Sequence, residues 1–127
     1  MRLFTVVATI VAVMSTVSQA DWSSFRADRH MTGNTQAAMS TRPQVKWTYE
    51  TGSSVESTAA IARGTAYVGT MTGALVALDM SDGTLKWKYT TAEPITASPC
   101  VVGRTVLVGD EGGVFHAVNT VDGSNRW

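Results

Sequence analysis

Short runs of β-branched and aromatic residues, separated by glycine-containing turns, dominate the chain from about residue 45 onwards. No stretch has a helical period long enough to predict a helix, so the pattern predicts strands throughout. The predicted strands are 55–61, 65–70, 74–79 and 84–90, followed by 95–102, 105–110, 114–119 and 124–127. The connections between them are of hairpin length, which predicts antiparallel sheets.

The pattern repeats with a fixed period. Trp47, Trp87 and Trp127 are each 40 residues apart, and residues 47–86 match residues 87–126 at 10 of 40 positions without a gap. Four antiparallel strands per 40 residues is typical of one blade of a β-propeller. Helical repeats of similar length are excluded by the Thr, Val and Gly content, and an antiparallel sandwich, the other alternative, does not require a strict period. The predicted fold is therefore all-β, a propeller of which this chain holds about two blades.

Two in-phase segments, 77–87 and 117–127, carry the same motif. Its positions, with the preceding tryptophan, are Trp47, Ala77, Asp79, Gly83 and Trp87, then Ala117, Asn119, Gly123 and Trp127. The segments resemble the tryptophan-docking motif of the PQQ-like (quinoprotein-type) repeat family, Ala-x-Asp-x-x-Thr-Gly-x-x-x-Trp. They depart from it at Asp82 and Asp122, which stand where the family has Thr, and at Asn119. Asp and Asn preserve the turn chemistry, because both bond nearby backbone N–H groups.

The resemblance covers residues 45–127 and implies a role for the motif: each indole wedges between neighbouring blades. The opening segment Trp22-x-x-Phe25-Arg26 also resembles the start of many exported family members, with Ala27 in place of their glycine. The motif residues are therefore interpreted as structural. Neither the residues nor the resemblance assigns a catalytic, cofactor-binding or metal-binding residue in this chain.

The predicted organisation has three parts. Residues 1–20 read as a secretory signal peptide with cleavage between Ala20 and Asp21, a short membrane anchor being the alternative. Residues 21–44 are predicted to form an irregular extension laid over the propeller. Residues 45–127 are the repeats: an outer strand at 45–51, a blade at 52–91 and a partial blade at 92–127.

Export predicts a periplasmic or secreted protein. The single cysteine, Cys100, excludes an intramolecular disulfide and lies too far from the signal region to be a lipoprotein anchor. Cleavage would remove Arg2 and leave nine Lys and Arg against ten Asp and Glu, a net charge of about −1, so nothing indicates nucleic-acid binding or membrane insertion after cleavage.

The phase of the repeat favours an N-terminal fragment, because strand 45–51 reads as an outer strand whose own blade would lie beyond residue 127. The genomic sequence past codon 127 tests this hypothesis. Expressed alone, two blades would expose a sheet face, and self-association is expected.

Candidate chemistry is sparse. Neither His30 nor His116 has a second ligand at a metal-site spacing, and His116 is expected to be an ordinary, surface-facing strand residue. The preferred function is a non-catalytic protein-interaction scaffold in the cell envelope. The alternative is the N-terminal part of a pyrroloquinoline-quinone-dependent dehydrogenase, for which further blades would have to supply the quinone and calcium ligands.

Overall fold

The computed structural model describes residues 21–35 and 41–127, so the predicted signal peptide, including Ala20, lies outside the described residues. The described part is all-β and contains no helix, as predicted. Its strands are β1 Ala60–Ala62, β2 Thr65–Gly69, β3 Ala74–Asp79, β4 Leu85–Thr90, β5 Cys100–Val102, β6 Thr105–Gly109 and β7 Phe115–Asn119. No helix in this part of the chain is long and apolar enough to cross a membrane.

Strands β1–β4 form one antiparallel sheet in sequence order, here called the first blade, and β5–β7 form a second sheet, the second blade. The registers repeat: Tyr67 pairs with Ala77 in the first blade, and Leu107 pairs with Ala117 in the second. Neighbouring strands of each sheet are joined by short turns. This order of strands is the up-and-down arrangement of propeller blades.

The predicted strand 55–61 is too long at its start. The Ser57 side chain there makes the hydrogen bonds that a backbone partner would make in a ladder. Its hydroxyl donates to the carbonyl of Gly69 and accepts from the Gly69 N–H, both at 3.2 Å. The equivalent prediction 95–102 is also shortened to β5, because the Ile95 N–H bonds to Thr70 of the first blade at 3.0 Å. A side-chain hydroxyl in the first place, and a residue of the other blade in the second, thus forms the hydrogen bond that a longer strand would need.

Two predicted outer strands are not formed. Residues 45–51 contain no strand, because no neighbouring strand among the described residues forms a ladder with them. Residues 124–127 run beside β7 without a continuous ladder: the Arg126 N–H bonds to the Ala117 carbonyl at 2.7 Å, and the Ala117 N–H bonds to the Trp127 carbonyl at 3.1 Å. An isolated bridge joins Val118 to Asn125.

The N-terminal segment connects the blades at their first strands. Trp22 exchanges two backbone hydrogen bonds of 2.7 Å with Ile61 of β1, and the Val101 N–H of β5 bonds to the Ser23 carbonyl at 2.7 Å. The turn that follows holds Ala27 at φ +73°, in the left-handed region that glycine adopts without steric cost. A glycine, which the resemblance implies at the position of Ala27, would adopt this conformation without strain.

Candidate functional site

The main cluster of buried apolar side chains lies between the two blades, and Trp87 is part of it. Its side chain is 8% exposed, and its ring centroid lies 5.7 Å from that of Tyr67. Ile95, Val106 and Val118 complete the contact from the other side. A smaller cluster of Ala74, Val76 and Leu78 lies on the other face of the first blade, against Trp47 and Tyr49.

The two tryptophans make the same hydrogen bond, 33 residues along the chain in each case. Trp87 Nε1 donates to the Thr120 carbonyl at 3.0 Å, and Trp47 Nε1 donates to the Met80 carbonyl at 3.0 Å. The Trp47 indole therefore lies on the turn that follows β3, and the Trp87 indole lies on the equivalent turn that follows β7. We propose that this repeated contact is the docking role that the motif predicts.

The glycine of each turn lies under an indole. Gly83 and Gly123 have φ of +78° and +72°, which L side chains rarely adopt. A Cβ atom at Gly83 would lie 2.6 Å from Cδ2 of Trp47, and one at Gly123 would lie 2.8 Å from Cδ2 of Trp87. These positions thus combine a left-handed backbone with a ring at contact distance, and both features require glycine.

Acidic and amide side chains shape the turn beneath the indole. Asp79 Oδ1 accepts the Ser81 N–H at 2.8 Å, and Asn119 Oδ1 accepts the Val121 N–H at 3.1 Å. The hydroxyl and N–H of Ser81, together with Lys86, lower the pKa of Asp79 to about 2. The carboxylate is therefore ionised at neutral pH and holds the turn that presents the Met80 carbonyl.

The alanines of the motif are fully buried. Ala77 is the cross-strand partner of Trp87, and a bulge that begins at Leu78 shifts the register of β4 beside it. Ala117 is equally buried, but Trp127 is 66% exposed and contacts the ring of Phe115 at 6.1 Å between centroids. The two blades thus differ: the Trp87 indole is covered by a following turn, whereas no turn of the described residues covers the Trp127 indole.

A polar network crosses the interface between the blades, and the expectation that His116 faces the surface was wrong. His116 is not surface-facing: its side chain is 13% exposed, and Nε2 lies 2.8 Å from Oδ2 of Asp110. Its Nδ1 lies 3.1 Å from the hydroxyl of Tyr89 on β4 of the first blade. The Asp110 side chain is 2% exposed and also accepts the Val114 N–H at 2.9 Å.

Comparison of the two repeats contains a sequence signal for this network, which is missed when Asp110 and His116 are interpreted one at a time. Asp110 and His116 stand at the positions of Thr70 and Val76, so two polar replacements occur together on one hairpin. In the first blade, Thr70 caps its own turn through the Ala74 N–H and carbonyl, and Val76 packs in an apolar cluster. A turn cap and a neighbouring strand residue that change together indicate contact between their side chains.

This network predicts a change in the pH dependence of stability. The hydrogen bond from His116, followed by that from the Val114 N–H, lowers the pKa of Asp110 below 3.8. A lowered native pKa contributes stability that is complete above the unfolded pKa and is lost as pH falls through the native value. Urea unfolding at pH 2–5 should therefore show a shallower acid loss of stability for Asp110→Asn than for the parent.

A matched set of variants separates the network from the fold. His116→Val alone should destabilise the protein, because it leaves a buried carboxylate without its partner. Asp110→Thr with His116→Val recreates the residues of the first blade and should recover much of that loss. If the loss of unfolding free energy in the double variant equals the sum of the losses in Asp110→Thr and in His116→Val, the two side chains are not coupled.

The described residues offer few other reactive groups. Cys100 is a free, half-buried thiol, and no group of three or more His, Cys, Asp or Glu among residues 21–35 and 41–127 is placed to hold a metal ion. Asp21 accepts the Arg63 N–H at 3.0 Å. His30 lies in the N-terminal turn, where its N–H bonds to Asp28 at 2.8 Å.

The repeated antiparallel blades and their inter-blade tryptophan define a β-propeller repeat protein. The chain belongs to the PQQ-like repeat family whose sequence profile is described as outer membrane protein assembly factor BamB, which matches residues 12–127. The resemblance stated from the motif is thereby confirmed. A comparison with curated proteins gives no match.

Solved structures of this class are similar to the chain over part of their length. BamB from Moraxella catarrhalis is 25% identical with a TM-score of 0.61, over 65% of this chain and 26% of its own. Quinohemoprotein alcohol dehydrogenase from Comamonas testosteroni is 30% identical with a TM-score of 0.54, over 57% and 13%. A europium-containing methanol dehydrogenase is 32% identical with a TM-score of 0.53, over 55% and 14%. The chain thus spans about a quarter or less of each of these proteins.

Proposed function

We propose that the protein is exported and acts as a non-catalytic scaffold for protein partners in the cell envelope. The observation that carries this proposal is where the repeated residues lie. Positions that are identical in both repeats, such as Trp87 and Gly123, are used in turns and at the blade interface. The family description as an assembly factor agrees with a role in binding other proteins.

Export is part of the same proposal. A signal peptide at residues 1–20, cleaved between Ala20 and Asp21, would deliver the chain to the periplasm or medium. Asp21 and Trp22 already bond to Arg63 and Ile61, so a mature chain that begins at Asp21 keeps its contacts to β1 and the adjoining turn. Intact-mass measurement on the exported protein is expected to show the loss of residues 1–20. A full-length mass would contradict cleavage.

A second candidate function is supported by the two dehydrogenases at 30% and 32% identity. On this view the chain is the N-terminal part of a pyrroloquinoline-quinone-dependent dehydrogenase. No group of three or more His, Cys, Asp or Glu among the described residues is placed to hold the metal ion of such a site. The ligands would have to come from outside residues 21–35 and 41–127.

One pair of measurements separates the two functions. A photo-crosslinking residue at the exposed Val121 should give discrete adducts with envelope proteins in cells, whereas the same residue at Lys88 on β4 serves as the control position. The purified full-length protein is also titrated with the quinone plus calcium or a lanthanide, and dye-linked alcohol oxidation is measured. Saturable quinone binding with alcohol oxidation would favour the dehydrogenase, and absence of adducts would contradict the scaffold.

A further inference from the structure

A cavity of about 200 Å³ lies between the blades, at the end that carries their first hairpin turns. The first blade contributes Arg63, Thr65 and Tyr67 to its lining, and the second contributes Val101, Arg104 and Thr120. Its walls therefore come from both blades. The cavity is separate from the Asp110–His116–Tyr89 network, whose residues do not line it.

The two turns at its rim carry the same residue types in opposite order. The first is Arg63-Gly64, with φ of +50° and +72°, and the second is Gly103-Arg104, with φ of +57° at Gly103. The period aligns Arg63 with Gly103, so the arginines occupy different corners of their turns and both reach one cavity. Arg63 Nη1 donates to the Gly103 carbonyl at 2.9 Å, which positions its guanidinium across the boundary between the blades.

Most guanidinium donors at this rim have no acceptor among the described residues. Among residues 21–35 and 41–127, Lys86 pairs with Asp79 and His116 pairs with Asp110, and neither Arg63 nor Arg104 is part of an ion pair. One carboxylate lies nearby, since Asp21 accepts the backbone N–H of Arg63. A guanidinium has five N–H donors in a planar fork, so the two arginines retain donors for an added anion.

The floor of the cavity also suits an acceptor. Tyr67 is 3% exposed, and burial raises the pKa of its hydroxyl, so the group keeps its proton and can donate a hydrogen bond. Lys86 donates to Thr65 Oγ1 at 2.8 Å beneath the rim and is balanced by Asp79. The lining thus combines two arginines with a phenol and hydroxyl groups in a space of side-chain size.

We propose that this cavity binds an acidic side chain of a protein partner, with its carboxylate held between Arg63 and Arg104. The proposal rests on the scaffold function and names the chemistry of the partner. A carboxylate matches the guanidinium fork in two parallel hydrogen bonds. A peptide is favoured over a free anion because Val121, which lines the cavity, is 63% exposed and Val102 beside the turn is 60% exposed, so flanking apolar side chains would cover both.

The test is a calorimetric titration of the purified full-length protein with a capped pentapeptide that has a central glutamate between two leucines. The same peptide with glutamine is expected to bind at least about tenfold more weakly, because the amide has no negative charge and only one oxygen that can accept from a guanidinium. Arg63→Gln with Arg104→Gln should weaken binding of the glutamate peptide by about tenfold or more, and added salt should weaken it in the parent.

Matched controls make the result specific. Lys88→Gln with Arg126→Gln removes the same charge from exposed positions elsewhere and should leave the dissociation constant within about twofold, since distant surface charges are screened. Thermal melts of both double variants check that they fold. Equal peptide affinity in the parent and the Arg63/Arg104 variant would overturn the proposal, and tighter binding of succinate than of the peptide would overturn the assignment to a protein partner.

The titration uses no cellular partner, so it tests the cavity independently of the scaffold. If the peptide binds but Val121 gives no photo-crosslinked adducts, the scaffold function alone is contradicted. If Val121 gives adducts but the peptide does not bind, the proposal for the cavity alone is contradicted.

Discussion

Trp87→Ala is expected to lower the free energy of unfolding by about 3–5 kcal/mol, the range for deleting a large buried aromatic side chain. The indole is 8% exposed, contacts Tyr67 and packs with Ile95 and Val106 of the second blade. Its removal leaves a cavity between the blades that backbone turns cannot collapse to fill. Urea denaturation followed by far-ultraviolet circular dichroism measures the change.

Trp87→Phe separates packing from hydrogen bonding. Phenylalanine keeps an aromatic ring on Gly123 but leaves the part-buried Thr120 carbonyl without the indole N–H, a loss of about 0.5–1.5 kcal/mol for one hydrogen bond. We expect the phenylalanine variant to lie between the parent and the alanine variant. If Trp87→Ala had the same urea midpoint of unfolding as the parent, the docking role proposed for this indole would be wrong.

Gly123→Ala is expected to cost about 2–5 kcal/mol through two separate effects. An alanine at φ +72° carries a left-handed penalty of about 1–2 kcal/mol. Its Cβ would also lie 2.8 Å from Cδ2 of Trp87, and such overpacking typically costs about 1–3 kcal/mol more. The summed emission of the four tryptophans should shift to longer wavelength if the Trp87 ring is displaced towards solvent.

Gly113→Ala is the matched control in the same blade. Gly113 has φ +81°, but a Cβ there would meet nothing within 4 Å, so only the backbone penalty of about 1–2 kcal/mol applies. The difference between the two alanine variants therefore isolates the contact with the indole. Equal destabilisation at both positions would show that the indole exerts no steric demand on the turn.

The period of 40 residues was sufficient to predict the sheets, and the strand at 74–79 was predicted with its observed bounds. For the other strands, the turn residues predicted the first and last residues less accurately. The start of strand 55–61 was wrong because the Ser57 hydroxyl, rather than a backbone partner, bonds to Gly69. Residues 45–51 show the same limit, since alternating apolar or aromatic and polar residues predict a strand, but a ladder also needs a neighbouring strand.

The interface was only half predictable. Motif spacing indicated Trp87 and Gly123 as structural residues, whereas their contact with each other and the bond from the indole to the Thr120 carbonyl carry no sequence signal. His116 was misjudged because its environment is set by Tyr89, 27 residues earlier in the chain, and by Asp110 across a turn. Only packing of the two blades brings these three side chains together.

The sequence by itself determined the family, the all-β class and the positions of the turns, because these depend on a repeated pattern of strand-forming residues and turn-forming glycines. Only the tertiary structure decided which side chains meet across the blades. The contact of Tyr89 with His116 and the two arginines beside one cavity depend on how one sheet is placed on the next. That placement is the sum of many apolar contacts between residues far apart in the chain, and no local pattern encodes it.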